Sequence, residues 1–230
     1  MKLYIVATPL GNLGDITLRA LEILKSAPLI ACEDTRVSQK LLGHYGITAK
    51  TISYHQHSSA GKVDFLLDKL AEIGEMAVIT DAGTPGISDP GNLLVEAVVK
   101  RFGEKCQIVT IPGPSAIISI LSVSGLPTDK FLFLGFLPHK KGKETILKRI
   151  IDSEETVVFY ESTYRIIKTL EKMNEMMMPE AATINRRIVI GRELTKKFET
   201  VYRGNIKQIL EKLKSDITKG EFVVVVEGKK

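Results

Sequence analysis

Met76-Ala77-Val78-Ile79-Thr80 runs straight into Asp81-Ala82-Gly83-Thr84-Pro85-Gly86-Ile87-Ser88-Asp89-Pro90-Gly91. The first five residues are a short apolar run of strand length. In the eleven that follow, Gly83, Gly86 and Gly91 let the backbone approach a ligand closely, while Pro85 and Pro90 stiffen the loop. Ordinary connections are about half that long, so this segment does more than connect. A helix follows from about Asn92 to Arg101. The same strand-then-helix pattern extends on both sides. Strands are expected at Leu3–Thr8, Pro28–Cys32, Thr51–Tyr54 and Gln107–Ile111. Helices are expected from Thr17, through Leu41 and Leu42, and over Val63, Leu66, Leu67 and Leu70 at helical spacing. Strands alternating with helices in this way imply a parallel sheet covered on both faces.

Pro112-Gly113-Pro114 punctuates the pattern and marks a boundary between an N-terminal α/β domain, residues 1–113, and a C-terminal domain, residues 114–230. The second half reads as a helix over Ser115–Ser124, a strand Phe131–Phe136, a helix Lys143–Asp152, a strand Thr156–Tyr160 and a helix from Thr163 to Met176. Met176-Met177-Met178-Pro179 reads as the end of that helix. Arg187–Leu194 and Phe198–Arg203 are close enough in sequence to form a hairpin, and a helix Asn205–Leu213 and a strand Phe222–Val226 follow. The fold class is therefore α/β throughout, with a parallel first domain and a mixed second one.

Composition narrows the function. The 230 residues are 44% hydrophobic and 26% charged, ordinary for a soluble globular chain and unlike a disordered or fibrous one. No apolar run nears the ~18 residues of a membrane span, and the start reads as a strand and turn rather than a secretion signal. Cys32 and Cys106 are too few for a disulfide framework or a zinc site, so a cytoplasmic protein is expected. Residues 1–113 carry 11 Lys and Arg against 12 Asp and Glu, while residues 114–230 carry 21 against 15, so all the excess positive charge lies in the second half. Such a half is either a solvated surface, as the cluster Lys140-Lys141-Gly142-Lys143 suggests, or the footprint of a polyanionic partner.

Ligands of parallel sheets bind beyond the carboxyl ends of the strands. Here those ends carry Thr8-Pro9-Leu10-Gly11-Asn12, Cys32-Glu33-Asp34-Thr35-Arg36, His55-Gln56-His57, the Asp81–Gly91 loop and Pro112-Gly113-Pro114-Ser115, while the opposite turns are bland. Asp34 or Thr35 suits a helix cap, and Arg36 could reach a phosphate. His55 and His57 share one face of an extended segment, but no Cys or carboxylate stands nearby at ligand spacing, so no metal is expected. The chain has no G-x-G-x-x-G after its first strand, no G-x-x-x-x-G-K-[ST] and no G-x-S-x-G, which excludes the common dinucleotide, P-loop and serine-hydrolase sites.

Further motifs follow in order: Ala31-Cys-Glu-Asp-Thr-Arg36, Ile111-Pro-Gly-Pro-Ser-Ala116, Ser124-Gly-Leu-Pro-Thr-Asp129, Gly135-Phe-Leu-Pro138, Tyr160-Glu-Ser162 with Tyr164-Arg-Ile166, and Gly191-Arg-Glu-Leu-Thr-Lys196. With Thr8-Pro-Leu-Gly-Asn-Leu13 and the Asp81–Gly91 loop they cover nearly the whole chain. In these motifs the chain resembles the tetrapyrrole methylase superfamily and, within it, the small-subunit ribosomal RNA methyltransferases. The resemblance implies a two-domain fold that binds S-adenosylmethionine in the cleft between its domains, a homodimer, and 2′-O-methylation of a cytidine in the decoding region of 16S rRNA, free or in the small ribosomal subunit. It carries cofactor contacts onto Pro9, Leu10, Gly83, Thr84, Pro85, Ile87, Ser115, Ala116, Tyr160 and Leu194. Many members continue past the final strand; if that segment helps grip RNA in them, the basic second half is expected to carry more of the grip here.

Methyl transfer to a ribose hydroxyl gains from a positioned base. Candidates are Asp34, Asp81, Asp89, Glu161, Glu193 and Lys196. Glu161 and Glu193 are favoured because each follows a second-domain strand with Arg165 or Arg192 close by. Arg192 is grouped with them as catalytic, and Arg36, Arg165 and Lys196 are expected to contact RNA. The alternative for each Glu–Arg pair is an ordinary ion pair. Two other functions remain open: a methyltransferase of the same fold acting on a small tetrapyrrole or a protein side chain, and a non-catalytic ribosome-binding factor.

Overall fold

A computed structural model of the chain describes residues 1–55, 60–89, 91–177, 186–216 and 219–229. The chain forms two compact units, Met1–Ser115 and Ala116–Lys230. Gln56, His57, Pro90, Met178 and Pro179, singled out in the sequence, lie outside the described residues.

The first unit contains strands β1 (Lys2–Val6), β2 (Leu29–Cys32), β3 (Lys50–Ser53), β4 (Glu75–Ile79) and β5 (Gln107–Ile111), in the order β3-β2-β4-β1-β5. Every neighbouring pair is parallel. Helices α1 (Leu18–Ser26) and α2 (Thr35–His44) cover one face through Leu24 and Leu42, packed with Ile30, Ala77 and Ile79. Helices α3 (Ala60–Ile73) and α4 (Gly91–Phe102) cover the other through Leu66, Leu70, Leu94 and Val98, packed with Leu3, Ala31 and Val78. Strand residues alternate between the two cores, as a sheet buried on both faces requires.

The second unit runs α5 (Ala116–Ser124), β6 (Phe131–Phe136), α6 (Lys143–Asp152), β7 (Thr156–Ser162), α7 (Ile166–Met177), β8 (Ile188–Arg192), β9 (Thr200–Gly204), α8 (Ile206–Ser215) and β10 (Glu221–Val226). Its sheet has the order β6-β7-β10-β8-β9. The β6–β7 pair is parallel and the other three pairs are antiparallel, including the expected β8–β9 hairpin. Val157, Phe159, Ile188, Ile190, Phe222 and Val224 face α6, α7 and α8. Val158, Val189, Val223 and Val225 face α5.

Helix α7 begins at Ile166 rather than Thr163. Ser162–Arg165 form a turn closed by the Arg165 N–H on the Ser162 carbonyl, 3.0 Å. The Thr163 hydroxyl donates to the Gly220 carbonyl and accepts the Gly220 N–H at 2.8 Å. Thr163 is thereby held against the start of β10 and kept out of the helix. Among the described residues, no helix is long and apolar enough to cross a membrane, and no group of three or more His, Cys, Asp or Glu could hold a metal ion.

Candidate functional site

In the first unit the loops that follow β1, β2 and β5 are tied together through the one after β4. Thr8 and Gly83 exchange both backbone hydrogen bonds, Thr8 N–H to Gly83 carbonyl at 2.9 Å and the reverse at 3.0 Å. The buried Thr8 hydroxyl also donates to the Thr80 carbonyl, 3.0 Å. The Thr84 hydroxyl donates to the Pro114 carbonyl beyond β5, 3.2 Å. From the loop after β2, Glu33 accepts the Thr80 hydroxyl at 2.6 Å, and the Asp34 N–H donates to Asp81 at 3.1 Å. Asp89 accepts the N–H groups of Gly86 and Gly91 at 2.8 and 2.7 Å, closing the Gly/Pro loop on itself. A Cβ on Gly113 would lie 2.9 Å from that of Ala7, closer than side chains pack.

The structure therefore brings Pro9, Leu10, Gly83, Thr84, Pro85, Ile87 and Ser115 into one set of interlocked loops. Gly83 adopts φ +85, a conformation that suits glycine. Both its backbone groups are committed to Thr8. Ile87 is half exposed at the loop's tip.

The acidic candidates in this unit are held by internal contacts. Asp34 caps α2, accepting the Arg36 N–H at 2.8 Å, and the Arg36 guanidinium forks onto the same carboxylate at 3.1 and 2.6 Å. That guanidinium, with the Arg36 N–H, holds the Asp34 carboxyl down at about 2. Arg36, expected to reach a phosphate, is exposed but already paired. Burial pushes Asp81 up, and the neighbouring Glu33 and Asp34 charges add to that.

In the second unit, Ala116, Tyr160 and Leu194 share one apolar cluster with α5. Tyr160 lies 5.2 Å edge-on from Phe133 and 5.1 Å from Phe136, ring centre to ring centre. A Cβ on Gly191 would come within 2.8 Å of both Ile120 and Leu194, so glycine there lets Leu194 fold onto α5. These three carried-over cofactor positions thus converge on the α5 face of the sheet.

Glu161 and Arg192 lie on the opposite face, contrary to their expected catalytic placement. Side chains alternate along a strand, and Glu161 follows Val157 and Phe159 on the face turned to α6–α8. It is 1% exposed. One oxygen accepts the Ser162 N–H at 2.8 Å and Arg165 at 2.7 Å; the other accepts the Thr169 hydroxyl at 2.8 Å. Arg165 in turn donates to the Leu137 carbonyl, 2.9 Å. This is an internal ion pair, with both side chains engaged inside the second unit. Arg192 is also buried, donating to the Lys219 carbonyl at 2.9 Å and lying near Tyr202 and Asp216 at 3.5 and 3.6 Å. These contacts tie the end of β8 to the residues that precede β10 and to β9.

Glu193 differs from both. It stands just past β8 at φ +51, and Thr195 follows at φ +68, in a turn that sets the carboxylate against Gly220. Its Oε1 accepts the Glu221 N–H at 2.9 Å and the Lys196 ammonium at 3.1 Å. No described residue hydrogen-bonds its Oε2. Burial alone would raise its pKa, but the Glu221 N–H and the Lys196 charge outweigh that and hold it below the usual carboxylate value. Lys196 also bonds Glu221 at 2.7 Å, and despite burial these two carboxylates raise its pKa. Lys196, expected on RNA, is thus a tie between the β8 loop and β10.

Gly220 went unnoticed in the sequence. A Cβ there would fall 2.5 Å from Glu193 Cγ, and its φ is +125. The lone glycine before a strand, Lys219-Gly220-Glu221, was its only signal.

The tie has a defined pH window. Glu193, depressed in the fold, contributes stability above its ordinary 4.5, and that contribution is lost as pH falls through its lowered value. Lys196, raised in the fold, contributes below its ordinary 10.5 and loses this as pH rises through its higher value. The melting-temperature difference between wild type and Lys196→Met is therefore expected to stay level from about pH 5 to 10 and to shrink beyond either limit. A pH scan of thermal unfolding for the two proteins checks this.

Comparison with known proteins agrees with this architecture. The family of Tetrapyrrole (Corrin/Porphyrin) Methylases matches residues 2–210. The chain is 44% identical over 232 residues to the ribosomal RNA small subunit methyltransferase I of Escherichia coli O157:H7, covering 100% of this chain and 78% of that protein. It is 46% identical over 230 residues to the protein of the same name from Haemophilus influenzae, covering 99% and 78%. With that of Hydrogenobaculum sp. it shares 44% over 229 residues, covering 98% and 95%. Among solved structures, a cobalt precorrin-4 methyltransferase of cobalamin biosynthesis superposes with TM-score 0.68 at 20% identity, over 97% of this chain and 94% of that one. The chain belongs to the tetrapyrrole methylase family, whose methyl donor is S-adenosylmethionine, and stands with the proteins named ribosomal RNA small subunit methyltransferase I.

Proposed function

We propose that this protein is a cytoplasmic homodimer that transfers a methyl group from S-adenosylmethionine to the ribose 2′-oxygen of a cytidine in the decoding region of 16S rRNA. The carrying observation is the 44–46% identity, sustained over nearly the whole chain, to proteins named as ribosomal RNA small subunit methyltransferases. The excess of 21 Lys and Arg over 15 Asp and Glu in residues 114–230 supports a polyanionic substrate.

The residues present suit the cofactor. The interlocked loops of the first unit offer peptide groups and small side chains, and their close approach leaves no room for a Cβ at Gly113. Pro9, Leu10, Gly83, Thr84, Pro85, Ile87 and Ser115 would hold it on the loops of the first unit. When bound, S-adenosylmethionine supplies an electrophilic methyl group on a sulfonium. The chain's own task is then to align a hydroxyl with that methyl, since in-line geometry accounts for most of the gain in such a displacement. Glu193 Oε2 accepts the hydroxyl's hydrogen, and Lys196 and the Glu221 N–H keep the carboxylate ionised and fixed. A carboxylate with a lowered pKa is a weak base, so Glu193 first orients the hydroxyl and takes its proton only as the oxygen–methyl bond forms, when that proton has become strongly acidic.

Gly83→Val places a β-branched residue at φ +85, a strain of about 1–3 kcal/mol. The Thr8–Gly83 tie is expected to loosen, and calorimetry should find S-adenosylmethionine binding weakened by at least about tenfold.

The activity is tested by incubating the protein with methyl-labelled S-adenosylmethionine and small ribosomal subunits from cells lacking it, then mapping the label. The expected result is label on one cytidine 2′-oxygen of the decoding region. Label on a base or a ribosomal protein, or none despite cofactor binding, would refute the proposal. The last outcome would turn attention to tetrapyrrole acceptors.

A further inference from the structure

Three aromatic side chains of the second unit stand out in water: Phe136 at 60% exposure, Tyr164 at 90% and Phe198 at 67%. Strand directions put all three at one end of the sheet. Phe136 closes β6, Tyr164 follows β7, and Phe198 precedes β9 in the turn that leaves β8. Glu193, just past β8, is at the same end. In the strand order β6-β7-β10-β8-β9, Glu193 falls between Tyr164 and Phe198. The outer strands are four spacings apart, roughly 19 Å, a span suited to a few nucleotides of unpaired RNA.

The side chains of both chain neighbours anchor the turn that carries Tyr164. Thr163 is locked to Gly220 through its hydroxyl, and Arg165 to Glu161 and the Leu137 carbonyl. Phe198 carries the Lys197 ammonium 5.6 Å from its ring centre. Phe136 lies against Tyr160, and Lys140 and Lys141 follow it, exposed. Single exposed rings separated by lysines, in a half of net positive charge, match the way unpaired nucleic acid is held. Its bases stack on aromatic faces while its phosphates meet cations.

We propose that Tyr164 and Phe198 are stacking platforms for unpaired bases on either side of the methylated nucleotide, with Phe136 and its neighbouring lysines extending the same track. This rests on the reading of RNA as substrate and adds that the target is presented single-stranded across this sheet end. Stacking is indifferent to the phenol hydroxyl but needs a flat ring, which makes the test specific.

Tyr164→Ala and Phe198→Ala are each expected to raise KM for small subunits about tenfold, and to weaken binding of an unstructured RNA oligonucleotide to the same extent. Affinity for S-adenosylmethionine and mass by light scattering should not change. Tyr164→Phe should restore wild-type KM, and Tyr164→Leu should not. Unchanged KM in both alanine variants, or rescue by leucine equal to that by phenylalanine, would overturn the proposal. So would a KM defect accompanied by loss of dimer, which would make this end a contact between copies. A wild-type protein that does not methylate rRNA refutes the underlying reading instead. Wild-type methylation that is indifferent to both alanine variants refutes only the stacking track.

Discussion

Glu161→Ala is expected to cost about 3–5 kcal/mol of folding stability, because it strands the Arg165 guanidinium inside the second unit without its counter-charge. Arg165 would keep the Leu137 carbonyl and the Ser162 hydroxyl, at 2.9 and 3.3 Å, neither of which neutralises it. The Ser162 N–H and the Thr169 hydroxyl would lose their acceptor as well. Urea unfolding monitored in the second unit should register the loss. Below the melting transition, the remaining folded protein is expected to turn over at a rate near that of wild type. A variant with wild-type stability and no turnover would restore Glu161 as a base.

Glu193→Gln is expected to leave the fold intact and lower kcat by about 10²-fold, toward the weak end of the range for positioned acid–base groups. The amide oxygen can still accept the Glu221 N–H and Lys196, which accounts for the preserved fold. The amide nitrogen would then occupy the Oε2 position, presenting a donor where the hydroxyl needs an acceptor. KM and cofactor affinity should move little, so the loss is one of transition-state stabilisation. The wild-type rate should remain independent of Glu193 down to about its ordinary 4.5 and fall only as the carboxylate protonates below that. Equal kcat for wild type and Glu193→Gln would place the hydroxyl acceptor elsewhere.

These two residues show what the sequence reveals and what it conceals. The bounds of β5, β6 and α6 match their apolar patterns residue for residue, because alternation and helical spacing are local properties. The loops at the carboxyl ends of the first sheet were recognisable for the same reason. Glu161 and Glu193 looked alike in sequence, each an acid beside an arginine at a strand end. What separates them is one position of strand register. Glu161 is still in β7 and continues the face of Val157 and Phe159, while Glu193 has passed the end of β8 into a turn with positive φ. The period-2 signal for Glu161 was therefore available. The signal for Glu193 was not, since its setting depends on Lys196, Gly220 and Glu221, brought together only by the pairing of β8 with β10. The cap role of Asp34 was legible locally; its fork with Arg36 required the three-dimensional rotamers.

The order of strands also bears on how the chain is made. All five strands of the first sheet lie within the first 111 residues, so at about 5–20 residues per second that unit can close while the rest is still being synthesised. The second unit has no such head start. Its last strand, β10, is the central one, flanked by β7 and β8. Until Glu221–Val226 has emerged, the unit consists of a β6–β7 pair and a β8–β9 hairpin, each exposing an edge where β10 belongs. During that interval the nascent protein carries open strand edges, the condition that invites pairing with a neighbouring chain. Slowing translation across residues 205–226 should therefore lower soluble yield more than an equal pause before residue 115.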